Sequence, residues 1–167
     1  GTGLNAFLTL LEADNSKRQV HYTTIERYPV SNDIVHQLAY PEQICPERSN
    51  DFYALHNSAW NTDISLTPYF ILHKVEGDFT NYKFQGAFDL IYFDAFAPEK
   101  QPEMWSQELF NTLYASLNNT PDAANCGIYR RTSSRPSRWK TRNIESFKIK
   151  DFPSYSRFHE IRREIFY

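Results

Sequence analysis

A glycine pair and a matched acid are the first residues in this chain whose types and spacing could do chemistry. Gly1 and Gly3 flank Thr2 directly before a helical pattern, and Glu26 stands 23 residues after Gly3, at the end of the next predicted strand. A glycine turn lets backbone approach a ligand closely, because no Cβ intervenes, and it places helix N–H groups beside that ligand. An acid one strand later can accept hydrogen bonds from both ribose hydroxyls. The pattern predicts a nucleoside cofactor.

Two classes of nucleoside cofactor fit this arrangement. Dinucleotide enzymes usually add a third glycine, and the corresponding residue here is Ala6, which the pattern tolerates. S-adenosylmethionine has no phosphate, so its sites accommodate acids more freely, and two further predicted strands end near Asp78 and at Asp94. The number of acids favours the sulfonium cofactor. An NAD-dependent enzyme stays as an alternative, and so does a merely solvated carboxylate at Asp78.

The most specific motif is the run Asp94-Ala95-Phe96-Ala97-Pro98. An acid at the carboxyl end of a central strand, followed by an aromatic residue and a proline-stiffened turn, is placed to hold an amine nucleophile beside a cofactor methyl group. A carboxylate can orient the amino group by accepting its hydrogens, and can take up or relay the proton. The alternative role for Asp94 is a helix or turn cap.

The elements that must position these residues follow from apolar periodicity. The predicted helices cover 4–14, 31–39, 51–60 and 104–117, and the predicted strands cover 19–26, 69–75 and 88–93. Helices that alternate with strands argue for an α/β layer on a parallel sheet. After residue 118 the periodicity fades, with weak strand signals at 147–149 and 161–167.

Composition bounds the class of protein. The chain has 167 residues, of which 41% are hydrophobic and 23% charged, and these values suit one folded domain. Two cysteines are too few for a disulfide framework, and we see neither a membrane-length apolar run nor a signal peptide. We therefore expect a cytoplasmic protein with no membrane association. The five histidines show no ligand spacing, so we expect no metal.

The motifs resemble those of the MnmC-type methyltransferases, which modify the wobble uridine of tRNA, and in particular their stand-alone, MnmD-like form without a flavin oxidase domain. The resemblance covers about residues 1–117, some 70% of the chain. It rests on Gly1-Thr2-Gly3-Leu4-Asn5, the segment 22–29, Gly77-Asp78, and the stretch from Asp94 to Trp105.

This resemblance implies a Rossmann-like fold that uses S-adenosylmethionine to convert 5-aminomethyl-(2-thio)uridine at the tRNA wobble position to its methylaminomethyl form. Pairing with a separate FAD-dependent oxidase, or with other wobble-uridine enzymes, is a further implication. The residues that the resemblance assigns to cofactor binding are Gly1, Thr2, Gly3, Leu4, Asn5, Glu26, Asp78 and Phe79. The resemblance implies that Asp94 holds the amine of the substrate that accepts the methyl group. It also implies that the pocket for the flipped uridine is formed by Phe96, Ala97, Pro98 and Trp105.

Two departures from the family pattern shape our expectations for the fold. The family has a strand before the glycine turn, so we expect a truncated start and a sheet that lacks its first, central strand. We divide the domain into a core at 1–120 and an atypical segment at 121–167, and we expect no terminal hairpin from about 144 onward.

Charge is divided unevenly between these two parts. The core carries 7 Lys and Arg against 15 Asp and Glu, whereas the segment 121–167 carries 11 against 5. Arg and Lys could contact tRNA phosphates, with Trp139 available for stacking, and a solvated tail is the alternative. The rival functions are a methyltransferase with another substrate and a non-catalytic remnant or RNA-binding module.

Overall fold

The computed structural model describes residues 1–84, 88–93, 95, 98–118, 127–130 and 163–166. The helices are α1 (Leu4–Ser16), α2 (Asn32–Gln37), α3 (Tyr40–Ile44), α4 (Ser49–Asn57) and α5 (Gln107–Ala115). The strands are β1 (Val20–Glu26), β2 (Asp63–Thr67), β3 (Phe70–Glu76), β4 (Leu90–Phe93), β5 (Gly127–Arg130) and β6 (Arg163–Phe166). Short 3-10 turns cover Pro46–Arg48, Phe79–Asn81 and Pro102–Trp105. Among the helices of the described ranges, none is long and apolar enough to cross a membrane.

The strands form one sheet in the order β2-β3-β1-β6-β4-β5. All neighbouring strands run parallel except β2, which pairs antiparallel with β3 at the edge. This arrangement confirms the predicted α/β, Rossmann-like class. The sequence analysis predicted no strand at 63–67, although polar and apolar residues alternate there. The run is only five residues long, and β2 is a half-exposed strand at the edge of the sheet.

The expectation that the sheet lacks its central strand needs correction. β6 lies between β1 and β4 and is parallel to both, with His21 opposite Arg163 and Leu90 opposite Glu164. Both neighbours therefore have a hydrogen-bonding partner in that position. The expected absence of a terminal hairpin concerns residues that lie mostly outside the described ranges.

One face of the sheet is covered by α1 and α4. Phe7 and Leu10 of α1 and Phe52 of α4 are fully buried, and they form one core with Tyr22 of β1 and Leu72 of β3. The Phe7 and Phe52 rings meet edge to face at 5.4 Å between centroids. This packing fixes the first helix against the sheet, and the N-terminus of that helix lies at the end of β1.

α5 packs on the opposite face. Its residues Phe110 and Leu113 share a second core with Ile91 and Phe93 of β4. The predicted helix over 104–117 is divided in two, because Ser106 is extended and its hydroxyl accepts a hydrogen bond from Leu109 N–H. That cap starts α5 at residue 107, after the 3-10 turn.

Gly3 caps α1 in a conformation that other residues rarely adopt. Its φ is +78°, and a Cβ built on it would lie 2.6 Å from Nε2 of His56. The His56 ring is itself packed against Phe52, with centroids 4.9 Å apart. The turn before α1 therefore requires glycine for both its backbone conformation and its contact with α4.

We expect Gly3→Ala to lower the free energy of unfolding by about 1 to 3 kcal/mol, the cost of a non-glycine residue held in such a conformation. Urea unfolding measures the change. Gly77→Ala is the matched control, because the nearest atom to its Cβ would be Val75 Cγ1 at an ordinary 3.9 Å. We expect the control to stay within about 0.5 kcal/mol of wild type. Equal effects of the two substitutions would contradict this account.

Candidate functional site

A cleft of about 790 Å³ opens where the carboxyl ends of β1 and β3 meet the N-terminus of α1. In open α/β sheets, ligands bind outside the carboxyl ends of the strands, where the strand order reverses. The cleft brings together seven of the eight residues predicted to hold a cofactor. These are Gly1, Thr2, Gly3, Leu4, Asn5, Glu26 and Asp78.

Glu26 is the last residue of β1, and its carboxylate faces the glycine turn. Its Oε2 accepts from the nitrogen of Gly1, and its Oε1 accepts from Tyr28 N–H at 2.7 Å. The acid therefore lies directly against the turn that starts α1.

Asp78 borders the cleft at the end of β3. Its Oδ1 accepts from both the hydroxyl and the backbone N–H of Thr80, and these hydrogen bonds hold its pKa below the ordinary value. Its Oδ2 accepts from Arg27 Nη1 at 2.9 Å. Asp78 thus caps a 3-10 turn and ties the end of β3 to the end of β1, which is a structural role beside any contact with a cofactor.

Three described residues of the predicted site do not line the cleft. Phe79 is 1% exposed and packs against Phe84 and Phe93 in the second core, so a cofactor contact for it is corrected to a packing role. Trp105 packs edge to face on Phe93, with centroids 5.2 Å apart. Pro98 lies in the turn that follows β4. Asp94, Phe96 and Ala97, the other members of the predicted site, lie outside the described residues.

Among the cleft residues that the sequence analysis did not assign to the site are His56, Trp60 and Lys74. Lys74 is 5% exposed, donates from Nζ to the carbonyl oxygen of His56 at 2.7 Å, and lies 4.5 Å from the centroid of the Trp60 ring. The position of Lys74 was detectable, because Phe70, Leu72 and Lys74 alternate along one face of β3. The hydrogen bond from Lys74 to His56 was not predictable from the sequence, because it depends on how α4 packs against the sheet.

Burial lowers the proton affinity of both Lys74 and His56. It lowers the pKa of Lys74 to about 8 and the pKa of His56 below its ordinary value. His56 Nε2 has no hydrogen-bond partner among the described residues, and it faces Gly3. The cleft lining therefore includes three acids, Glu26, Asp78 and Glu103, and one buried amine, that of Lys74, whose charge depends on pH above neutrality.

We expect the stability of the protein to report the buried amine. Between pH 8 and 10.5 the unfolded chain binds more protons at Lys74 than the folded chain does. The free energy of unfolding of wild type should therefore rise across this window relative to Lys74→Met, which has no amine to titrate. Urea unfolding of both proteins at several pH values measures the difference. A difference that stays constant from pH 8 to 10.5 would show that burial does not perturb this amine.

Comparisons with known proteins indicate the family to which the chain is similar. Residues 52–130 match a family model described as S-adenosyl-L-methionine-dependent methyltransferase. A protein of Campylobacter fetus is 30% identical over 127 residues, which cover 71% of this chain and 20% of that protein. One of Vibrio vulnificus is 32% identical over 142 residues, which cover 68% of this chain and 19% of that protein. One of Pseudomonas savastanoi is 29% identical over 180 residues, which cover 99% of this chain and 26% of that protein.

All three relatives carry the same name, tRNA 5-methylaminomethyl-2-thiouridine biosynthesis bifunctional protein MnmC. The chain spans about a fifth to a quarter of their length. The family model begins in α4 and ends with β5, so it includes the carboxyl ends of β3 and β4. The chain belongs to the family of S-adenosyl-L-methionine-dependent methyltransferases.

Proposed function

We propose that this protein transfers a methyl group from S-adenosylmethionine to the primary amine of 5-aminomethyl-(2-thio)uridine at the wobble position of tRNA. The observation that carries the proposal is the cleft itself, in which the turn at Gly3 faces Glu26. Ala95, two residues beyond the end of β4, lines the same cleft. A nucleoside cofactor held there would lie beside the segment that begins with Asp94.

The residues of the cleft fit this cofactor. A Cβ at Gly3 would overlap the His56 ring, so glycine is what lets the turn lie this close to α4. The first N–H groups of α1 are available to the α-carboxylate of the cofactor. Glu26 offers an acceptor for the ribose hydroxyls. The volume of the cleft lies within the usual range for small-molecule sites, roughly 300 to 1,000 Å³. When bound, S-adenosylmethionine supplies an electrophilic methyl group on its sulfonium.

Asp94 is the residue that we assign to the amine. It follows Phe93, the last residue of β4. An amine attacks only through its lone pair, so it must lose its extra proton before methyl transfer. A carboxylate raises the pKa of a neighbouring amine, which opposes that loss. We therefore assign Asp94 the orientation of the amine first, by accepting its N–H groups, and the removal of a proton second.

The proposed macromolecular substrate is tRNA, as the shared name of the relatives suggests. A base that is modified chemically must leave its stack. Phe96, Ala97, Pro98 and Trp105 are the residues we propose for the walls of its pocket. Of these, Trp105 packs in the second core next to Met104, which does line the cleft.

The basic segment 121–167 is the part of the chain that we propose to contact tRNA phosphates, since Lys and Arg outnumber acids there by 11 to 5. Such a substrate would place the protein in the cytoplasm. Functional pairing with an FAD-dependent oxidase belongs to the same proposal.

One experiment separates this proposal from its rivals. Purified protein is incubated with methyl-labelled S-adenosylmethionine and with tRNA that carries the unmethylated aminomethyl uridine, and the nucleosides are analysed. Label in methylaminomethyl uridine supports the proposal, and fully modified tRNA is the control. Cofactor binding without transfer to this tRNA would indicate another substrate. Failure to bind the cofactor would indicate a non-catalytic module, and tighter binding of NAD would indicate a dehydrogenase.

We expect Glu26→Gln to weaken binding of S-adenosylhomocysteine by roughly tenfold to a hundredfold, because a hydrogen bond to a charged acceptor contributes about 1.5 to 3 kcal/mol. Calorimetric titration measures the dissociation constant. Glu76→Gln is the matched control, since Glu76 is paired in register with Glu26 at the end of β3 but is exposed and outside the cleft lining. Equal affinities of the two variants would remove Glu26 from the site.

We expect Asp94→Asn to lower the rate of methyl transfer by about a hundredfold or more, the usual size of a contribution from a positioned acid or base. Affinity for the cofactor should change by less than about tenfold, or roughly 1.4 kcal/mol. Single-turnover transfer and calorimetry measure the two effects. Asp89→Asn, at the other end of β4, is the control. A variant at Asp94 that transfers methyl groups at the wild-type rate would exclude the assigned role.

A further inference from the structure

Three side chains from three strands converge on the sheet at a distance from the cleft. Nε2 of His21 on β1 lies 3.1 Å from Oδ1 of Asp63 on β2. Nδ1 of His73 on β3 lies 2.5 Å from the same oxygen. One ligand atom from each residue lies within 4.8 Å of the others, and the two imidazole rings stand at 80° to each other. We refer to His21, Asp63 and His73 as the strand triad.

The register of the sheet produces this convergence. Asp63 is directly opposite His73 across the β2–β3 pair, and His73 is opposite Thr23, two residues from His21 on the same face of β1. The sequence alone did not indicate the triad, because its members are 10 to 52 residues apart along the chain. The prediction of no metal rested on that spacing, and strand pairing is what brings the ligands together.

The triad is separate from the proposed methyl-transfer site. His21 lies near the start of β1 and Glu26 at its end, five residues or about 16 Å along the strand. The triad residues do not line the cleft. Their side chains are 34%, 56% and 27% exposed for His21, Asp63 and His73. An ion from solvent can therefore reach them without passing through the cleft.

The donor atoms select a class of ion. Imidazole nitrogens suit zinc, copper, nickel and iron, whereas magnesium and calcium prefer sets made only of oxygen. Two imidazoles and one carboxylate match a frequent three-ligand set for zinc, with a water molecule in the fourth position.

The spacing of the donors is close to what such an ion needs. Ligands at about 2.0 to 2.1 Å from a tetrahedral zinc are roughly 3.3 Å from one another. The His21 and Asp63 donors have nearly this separation already. The His73 nitrogen and the Asp63 oxygen would have to part by less than about 1 Å. The two imidazole nitrogens, which lie within 4.8 Å of each other, would have to take up a similar separation.

We propose that the strand triad is a binding site for a divalent transition-metal ion, with zinc as the reference ion. His21 Nε2, His73 Nδ1 and Asp63 Oδ1 are its protein ligands, and water completes the coordination. The ion would link the edge strand β2 to β1 across β3. Because β1 ends at Glu26 and β3 leads into the turn that Asp78 caps, the bound ion would stabilise the half of the sheet that supports the cleft.

Metal-stripped, untagged protein titrated with Zn²⁺ against a chromogenic chelator tests the proposal. We expect one ion per chain, a rise in melting temperature on zinc addition, and visible absorption bands of tetrahedral Co²⁺ when cobalt replaces zinc. His21→Ala, His73→Ala and Asp63→Asn should each weaken zinc binding at least tenfold. Asp63→Asn keeps the size of an exposed side chain, so it reports on the site even where a histidine variant fails to fold.

His36→Ala is the matched control, since His36 is an exposed histidine on α2 that does not belong to the triad. It should bind zinc as wild type does. Wild-type protein that binds no zinc, or binds it no more tightly than His73→Ala and Asp63→Asn, would overturn the proposal. Neither result bears on methyl transfer, because the titration contains no cofactor or tRNA.

Discussion

The contact between the bare backbone of Gly3 and the ring of His56 is the constraint on which the cleft depends. It holds the first turn of α1 against α4, and it leaves the helix N-terminus open beside the last residue of β1. Because both helices pack on the same core, a displacement of α4 would move the turn as well. The geometry offered to a nucleoside is thus set by packing between helices as much as by the glycine loop.

Charge in the cleft is arranged around that turn. Glu26 and Asp78 are at the rim, where hydrogen bonds from Tyr28 and Thr80 keep their oxygens oriented. Lys74 is the buried cation below them, and its amine is held by a carbonyl oxygen and an aromatic face. Burial lowers the pKa of the Lys74 amine, because water no longer stabilises its charge. The Lys74 amine therefore loses its proton nearer to neutral pH than a solvent-exposed lysine does.

The sequence predicted what depends on local pattern. Apolar periodicity located α1, β1, β3 and the α/β class, and the spacing from Gly3 to Glu26 located two sides of the cleft. Features that depend on pairing between distant strands were not predictable in this way. β2 is a five-residue edge strand, and its alternation of polar and apolar residues is too short to identify it by itself. The partners of Lys74 come from α4 and the following turn, and the proposed metal ligands meet only through strand register. Phe79 follows an acid at a strand end, a position typical of cofactor contact. Its ring is nevertheless buried in the second core.

The position of β6 has a consequence for how the protein is made. β1 pairs with β3 through residues about 50 positions away, whereas its other neighbour comes from 163–166, some 140 positions away. Pairings of such separation form slowly. During synthesis, the half-sheet of β1, β2 and β3 with α1 and α4 can assemble first, and the free side of β1 then remains an open edge until the last strand arrives. An unpaired strand edge can pair with another chain, so the free side of β1 is the edge that β6 protects from such pairing in the folded protein.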